Sequence, residues 1–218
     1  MRGKFLFIVE ILVIATIFHL DWLGILPVSK TPYLFLLGWI SLRLRGFRWK
    51  DVGLNLDQSF LKLLAIGVLV GFGMEALELF ATQPLLTKLL NRGPDLHEFR
   101  RLVGNTQLLI LGIVLAWVLA AFGEEMVWRG YLLNRVAEIF RGSITEWIVA
   151  GCSVTLLFGL AHFAQGPTGI TENIIDGGIL TAVYFASGRN LLAPIIAHGI
   201  QDTIDVLLIY LGQYPGLS

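Results

Sequence analysis

The segment from Trp117 to Leu133, WVLAAFGEEMVWRGYLL, places three charged side chains inside an otherwise apolar run. Glu125 and Arg129 are four residues apart, about 40° around an α-helix, so they can form an ion pair. Glu124 is rotated by about 100° from Glu125 and faces elsewhere. A buried carboxylate without a cationic partner is suited to accept a proton from water. The alternative is that both glutamates lie at the membrane interface and pair with Arg129 and Arg135.

Two later apolar segments contain histidine. In CSVTLLFGLAHF, His162 shares a helical face with Phe158 and Gly159. In APIIAHGIQDTID, His198 and Asp202 are four residues apart, so the carboxylate can orient the imidazole, or the two can bind one metal ion. Taken singly, each histidine is equally compatible with a structural hydrogen bond.

The composition indicates that these residues are carried by membrane helices. Of the 218 residues, 56% are hydrophobic and only 15% are charged, and the mean hydropathy is +0.74. A soluble domain has about 25% charged residues. The 16 basic and 16 acidic residues balance, which gives no indication of a nucleic-acid partner. The single cysteine, Cys152, excludes an internal disulfide and a cysteine-based metal cluster.

The predicted fold is all-α, a polytopic transmembrane helical bundle of about seven spans, with a range of about six to eight, because one span needs about 20 apolar residues. The first segment lacks a cleavage site and is expected to be a retained span. We predict a single integral membrane domain over residues 1–218, with a catalytic core at about residues 106–212. The candidate spans are Phe5–Pro27, Pro32–Leu44, Phe60–Ala81, Thr106–Gly123, Trp147–Phe163, Ile174–Ser187 and Asn190–Leu211.

The distribution of basic residues predicts the orientation in the membrane. The clearest basic cluster follows the second candidate span, from Arg43 to Lys50. By the positive-inside rule this loop is cytoplasmic, which also makes the N-terminus, with Arg2 and Lys4, cytoplasmic. The loop 91–101 then lies outside despite its arginines. We therefore expect a multi-pass protein of the plasma (inner) membrane.

Charged groups at the bilayer centre cost about 2.5–3.5 kcal/mol each, so they face a cavity or a partner. Glu124, His162 and His198, from three segments, are the ligand set of a catalytic zinc site with an open position. The same groups can also act without metal as base, proton shuttle and hydrogen-bond donor around one water. Both interpretations predict hydrolysis. The groups meet only if the fourth segment continues past Gly123, and we predict one long helix from about Thr106 to Phe140.

Three motifs follow one another on successive apolar segments, and they are Glu124-Glu125-x-x-x-Arg129, Phe158-x-x-x-His162 and His198-x-x-x-Asp202. In these motifs and their order the sequence resembles the CAAX prenyl protease and bacteriocin-processing family of intramembrane proteases, also called the abortive-infection family. It looks like a prokaryotic-type member. The resemblance covers about Gly123 to Asp202, and the first 100 residues fit only as additional spans.

The resemblance implies that Glu124 activates the attacking water, aided by His162, and that His198 and Asp202 stabilise the oxyanion or help to hold a metal. The supporting residues are Glu125, Arg129 and Phe158. The family is described both as metalloproteases and as metal-independent glutamate proteases, so zinc or another divalent metal at Glu124, His162 and His198 is one of two alternatives. Eukaryotic members have Asn where this chain has Asp202. An ionised Asp cannot donate a hydrogen bond, so Asp202 is better suited to orienting His198, binding metal or acting while protonated.

The leading hypothesis is an intramembrane endopeptidase that hydrolyses a membrane-associated or lipidated peptide or protein, with membrane lipid around it and no nucleic-acid partner. The alternative is a non-catalytic membrane immunity or partner-binding factor on the same scaffold. A third reading is a transporter or proton relay that uses Glu75, Glu124 and Asp205, and the lack of inverted repeats in the sequence argues against it. The sequence does not specify the substrate or a prenyl group.

Overall fold

The computed structural model describes residues 2–56, 59–139 and 143–217. In these ranges the chain forms helices and connecting turns without a strand, which confirms the all-α prediction. The helices are α1 (Arg2–Trp22), α2 (Thr31–Leu44), α3 (Phe60–Leu90), α4 (Thr106–Ile139), α5 (Ile144–Leu160), α6 (Gly166–Ala186) and α7 (Leu192–Tyr210). Short 3-10 turns lie between them, at Trp49–Val52, His97–Leu102 and Phe163–Gln165.

Four of the described helices, α1, α3, α4 and α7, are long and apolar enough to cross a membrane. The helices α5 and α6 pass the same test together but are bent by 56° at their junction, and they make a fifth span if the pair crosses once. This number is below the predicted six to eight, because α2 has only 14 residues and α6 carries Glu172 and Asp176 in its first half. Large apolar side chains such as Leu69 and Phe72 are exposed on the outer surface, as expected for a multi-pass integral membrane protein.

Helix α4 runs without a break through Gly123, as predicted. Its ends are α-helical over Thr106–Leu115 and Asn134–Ile139, and its middle is π-helical over Ala116–Glu124 and Met126–Leu133. π-helical turns are rare and often occur at functional sites. The predicted last residue, Phe140, lies outside the described residues. Glu124 is therefore an interior residue of a long helix rather than a helix end.

Helices α3 and α7 pack closely because two glycines of α3 face the backbone of α7. A Cβ atom added to Gly67 would lie 2.8 Å from the carbonyl oxygen of Ala193. One added to Gly71 would lie 2.7 Å from the carbonyl oxygen of Ala197. A Cβ atom added to Gly73, two residues after Gly71, would meet nothing within 4 Å. Gly67 and Gly71 thus set the distance between α3 and α7, and Gly73 does not.

The junction of α5 and α6 brings His162 inward. The chain turns between Leu160 and Phe163, and the following helix returns alongside α5. Gly159 allows this close approach, since a Cβ atom there would lie 2.7 Å from the carbonyl oxygen of Ile170. The bend thus places His162 at the point where α5 ends and the chain turns toward α6.

The buried charges between α1 and α4 are neutralised by each other. Glu10, which is 2% exposed, accepts a hydrogen bond from Nε of Arg135 at 2.6 Å and another from the hydroxyl of Ser41. An apolar helix can carry such a carboxylate when an arginine of its neighbour supplies the counter-charge. The ion pair with Arg135 therefore explains why Glu10 is buried, and no catalytic role is needed for it.

Candidate active site

A cavity of about 640 Å³ lies between α2, α3, α4, α6 and α7. The side chains of Glu124, His162, His198 and Asp202 all line it. These are the four residues that the sequence singles out as catalytic, and they come from α4, the α5–α6 junction and α7. Glu124 and His162 can line the same cavity because α4 continues past Glu124 and because the chain bends at His162.

Glu125 and Arg129 form the predicted ion pair, and both side chains are 0% exposed. Nη1 of Arg129 donates to Oε1 of Glu125 at 2.6 Å, and Nη2 donates to the carbonyl oxygen of Gly177 at 2.8 Å. The guanidinium also lies 4.7 Å from the ring centre of Phe158. Arg129 thus joins α4 to α5 and α6 behind the cavity wall, which is the supporting position expected for this pair.

The closer carboxylate partner of His198 is Glu125, whereas the sequence predicts Asp202. Its Nδ1 lies 3.0 Å from Oε1 of Glu125, the same oxygen that accepts from Arg129. Its Nε2 lies 3.6 Å from Oδ1 of Asp202, beyond good hydrogen-bonding distance. Glu125 is therefore the group that orients the His198 ring, in addition to pairing with Arg129, and Asp202 is the looser neighbour on the cavity side.

His162 is fixed by the backbone of its own helix. Its Nδ1 lies 2.8 Å from the carbonyl oxygen of Phe158. Because a carbonyl oxygen only accepts, Nδ1 carries the proton, and in the neutral ring Nε2 keeps its lone pair. The Phe158 ring lies 4.8 Å from the His162 ring and 6.2 Å from the His198 ring. Phe158 thus lies against both imidazole rings, and its supporting role stays a prediction.

Glu124 faces the cavity and differs in surroundings from its neighbour Glu125. Its Oε1 accepts a hydrogen bond of 3.3 Å from the hydroxyl of Thr31, at the start of α2. The described ion pairs of Arg129 and Arg135 are made with other carboxylates, Glu125, Glu10 and Glu138. The reading in which both glutamates are interfacial partners of these arginines therefore does not fit this arrangement.

Several cavity residues are absent from the sequence-based site. Thr31 lies outside the motifs, and its contact with Glu124 joins residues 93 positions apart. Glu172 precedes the predicted sixth span, so the hydropathy pattern gives no signal that it is buried. Gln201 is an ordinary polar residue next to Asp202 in the sequence, although its position three residues after His198 puts it on the same side of α7. The further polar residues of the cavity wall are Glu78, Asp176, Asp205 and Tyr214.

The donor chemistry of the three candidate metal ligands fits a divalent metal. Both imidazoles have Nδ1 engaged by an oxygen acceptor, Phe158 for His162 and Glu125 for His198, which is the usual outer contact of metal-binding histidines. Together with Glu124 they would leave one coordination position open. Among the described residues, a different group of three possible ligands has its atoms within 4.8 Å of one another. It consists of Glu75, Glu78 and Asp205. A metal at Glu124, His162 and His198 would therefore draw these side chains closer together.

A membrane helical bundle that gathers carboxylates and histidines around an internal cavity has the features of a membrane-embedded hydrolase. Residues 106–204 match the family model described as Type II CAAX prenyl endopeptidase Rce1-like. This match, over fewer than half of the 218 residues, supports the CAAX prenyl protease family, the one that the three motifs resemble. In the comparisons with curated proteins and with solved structures, nothing matches.

The family match supports a membrane protease of the CAAX type that acts on a membrane-associated substrate. The matched segment runs from the start of α4 into α7, inside the predicted catalytic core. The match gives no support to the abortive-infection and metalloprotease labels. The prokaryotic subtype also stays a prediction.

Proposed function

We propose that this chain hydrolyses a peptide bond of a membrane-associated or lipidated peptide or protein inside the cavity, with a water molecule that Glu124 and His162 activate. The observation that carries the proposal is that Glu124, His162, His198 and Asp202 line one cavity of about 640 Å³. This volume lies within the range of about 300–1,000 Å³ typical of ligand sites. A short stretch of an extended peptide can be held in such a space.

Glu124 is suited to be the general base. It lines the cavity, and its described hydrogen bond is a weak one from Thr31, so the carboxylate is free to accept a proton from water. The resulting hydroxide attacks the carbonyl carbon of the scissile bond. When the carbon–nitrogen bond breaks, the proton passes from Glu124 or His162 to the leaving amine.

The two histidines have different roles in this scheme. His162, with its proton on Nδ1, presents Nε2 as an acceptor for a proton of the same water. His198 donates from Nδ1 to Glu125, so its Nε2 faces the side of Asp202. A protonated His198 Nε2 would donate a hydrogen bond to the developing oxyanion, and the carboxylate of Asp202 would stabilise the positive charge of the His198 imidazolium.

A divalent metal such as zinc is compatible with this scheme, as is a metal-independent reaction. Glu124, His162 and His198 would hold it, and when bound it would polarise the carbonyl and make the coordinated water more acidic. The metal content of the purified chain, measured by mass spectrometry for wild type and Glu124→Gln, tests this without an activity assay. An equal amount of metal in both proteins would exclude Glu124 as a ligand.

The test of the function is cleavage of membrane-anchored peptides by the chain reconstituted in lipid vesicles, with products identified by mass spectrometry. We expect Glu124→Gln and His162→Ala each to lower the rate by at least about 10²-fold. Glu146→Gln is the matched control for the first, since it lies outside the cavity and Gln preserves the capping interaction at the start of α5. His19→Ala, on the exposed side of α1, is the control for the second. Undiminished cleavage by Glu124→Gln would refute the proposal.

We further infer that the cavity is entered from the face of the membrane opposite the basic loop. Residues of the α3–α4 connection, among them Leu96 and Glu98, line the cavity, and so does Thr31 at the start of α2. The basic cluster begins at the other end of α2, about 21 Å away for 14 residues. With the basic cluster in the cytoplasm, the cavity opens to the outside of the plasma (inner) membrane. An exported or membrane-anchored peptide is then the expected substrate.

Labelling of single cysteines tests this orientation. In a Cys152→Ser background we expect Glu98→Cys to react with a membrane-impermeant maleimide in intact cells, because Glu98 is exposed at the cavity entrance. Lys50→Cys, exposed in the basic loop, serves as the matched position and is expected to react only after permeabilisation. The reverse pattern would place the N-terminus outside and the cavity entrance in the cytoplasm.

A further inference from the structure

A second group of polar side chains lies beside the catalytic centre, between α3 and α7. It consists of Glu75, Glu78 and Asp205, and one carboxylate oxygen of each lies within 4.8 Å of the others. Glu75 is 4% exposed and Glu78 is 6% exposed. Asp205 is seven residues after His198 on α7, about 10 Å further along the helix. The group is therefore distinct from Glu124, His162 and His198.

The contact between α3 and α7 explains why these side chains meet. The face of α3 that carries Gly67 and Gly71 continues, one turn later, with Glu75 and then Glu78. The two glycines bring the α3 backbone against α7, so the next turn of α3 also faces α7. A π-helical segment begins at Glu78, and such segments often mark functional sites.

Glu78 is held in position by two donors from elsewhere in the chain. Nε2 of Gln201 donates to its Oε2 at 2.8 Å, and the hydroxyl of Tyr214 donates to its Oε1. Outer hydrogen bonds of this kind orient carboxylate ligands in metal sites. Glu75 and Asp205 lie within hydrogen-bonding reach of each other, but both are carboxylates. Both oxygens of Glu75 and Oδ1 of Asp205 are buried and receive no hydrogen bond from a donor group of the described chain.

The environment provides no positive charge for this group. The ion pairs among the described residues are made by other carboxylates, so Glu75, Glu78 and Asp205 have no lysine or arginine partner there. Glu172, which is 5% exposed and has an unpartnered Oε1, adds to the negative charge of the same cavity. Uncompensated carboxylates are strongly unfavourable in an apolar surrounding, so a counter-charge from solution is required, either protons or a cation.

The geometry and the ligand atoms favour a calcium-like ion. The ligands are all oxygens, which suit calcium, magnesium or manganese, whereas zinc prefers nitrogen and sulfur. Calcium binds oxygens at about 2.3–2.6 Å, so two of its ligands are at most about 5 Å apart. Carboxylate oxygens that all lie within 4.8 Å of one another can close on such an ion with small side-chain adjustments. Calcium accepts six to eight oxygen ligands in flexible geometry, whereas magnesium usually keeps several waters and binds one or two carboxylates, so three converging carboxylates suit calcium better.

We propose that Glu75, Glu78 and Asp205 form a binding site for a divalent cation of the calcium type, which joins α3 to α7 beside the catalytic centre. The cavity, whose wall includes Glu78, Glu172 and Asp205, gives the ion a path to the site. The bound ion lowers the negative charge of the wall that a substrate meets. This site does not depend on the proteolytic activity, and its test uses none.

The test is equilibrium dialysis of the purified full-length chain in detergent, after treatment with a chelator, against radioactive calcium. We expect about one calcium ion per chain below a concentration of about 1 mM, the weak end of known calcium modules. Glu75→Gln and Asp205→Asn are each expected to weaken binding at least about tenfold, because a charged oxygen ligand is lost. Glu146→Gln, outside the cavity, is expected to bind calcium as the wild type does.

Each of the following results would overturn the proposal. Absence of calcium binding by the wild type up to about 10 mM would show that protons supply the counter-charge. Loss of binding in Glu124→Gln with retention in Glu75→Gln would assign the ion to the catalytic centre. If Glu75→Gln does not fold, Asp205→Asn and the wild type decide the question, since unchanged binding by Asp205→Asn would equally refute the site. A tenfold preference for magnesium over calcium in competition would contradict the ion type.

Discussion

Replacing Arg129 with methionine removes the cation from an ion pair in which both side chains are 0% exposed. Glu125 would then remain in the interior with only His198 as a described hydrogen-bond partner, and the carbonyl oxygen of Gly177 would lose its 2.8 Å donor. Removing one partner of a buried pair costs about 3–5 kcal/mol, because the other charge is left uncompensated. We therefore expect Arg129→Met to lower the free energy of unfolding by about 3–5 kcal/mol.

A second substitution separates lost charge from lost packing. Glu125→Gln alone leaves Arg129 buried without its counter-charge and is expected to be similarly destabilised. In the double variant Arg129→Met/Glu125→Gln no uncompensated charge remains, so it is expected to be more stable than the sum of the two single effects predicts. The coupling energy of contacting residues is about 0.5–3 kcal/mol, and a desolvated pair belongs at the upper end of this range.

The measurement is equilibrium unfolding in mixed detergent micelles, in which the denaturing detergent fraction is raised and helix content is followed by circular dichroism. Arg43→Met, an exposed arginine at the end of α2, is the control and is expected to change stability by no more than about 0.5 kcal/mol. The reasoning is refuted if Arg129→Met unfolds within about 1 kcal/mol of the wild type, or if the two single effects are additive in the double variant.

Two further predictions concern the contact between α3 and α7 and the last motif residue. Gly67→Ala is expected to destabilise the chain by about 1–3 kcal/mol in the same unfolding measurement, because the added Cβ atom would lie 2.6 Å from Cβ of Ile196. Gly73→Ala, where no atom lies within 4 Å, is expected to be neutral or slightly stabilising, and equal effects would contradict the assigned contact. Asp202→Asn is expected to retain cleavage within about tenfold, since the amide keeps an acceptor for His198 and adds a donor for the oxyanion, whereas Asp202→Leu is expected to lose about 10²–10³-fold in kcat/KM. An Asn variant as inactive as the Leu variant would show that the negative charge itself is required.

Contacts within one helix could be predicted from the sequence. The pairing of Glu125 with Arg129 follows from their spacing, and it is observed even though this part of α4 is π-helical. The need for a long, unbroken α4 follows from the requirement that Glu124 meet His162 at the same depth. Predictions of this kind succeed because helix geometry relates sequence separation to distance.

Contacts between helices could not be predicted, because they depend on how the helices bend and rotate. The hydrogen bond from His198 to Glu125 joins residues 73 positions apart in the sequence. Asp202 is only four positions from His198 but lies farther from it in space, because the rotation of α7 against α4 turns the ring toward Glu125. The small number of long spans likewise follows from the short α2 and from the bend between α5 and α6. The hydropathy of a sequence does not show how helices rotate against one another or where they bend.

The difference between Glu124 and Glu125 illustrates how one helix produces two kinds of carboxylate. Glu125 lies between Arg129 and His198, so its charge is compensated and its position is fixed. Glu124, one residue earlier, faces the cavity with a weak hydrogen bond from Thr31 and has no described cation in direct contact. This freedom suits the role of general base that we propose for Glu124, and the fixed position of Glu125 suits the positioning of His198. If α4 were rotated so that Glu125 faced the cavity, the buried ion pair with Arg129 would be broken, so this pair fixes which of the two glutamates faces the cavity.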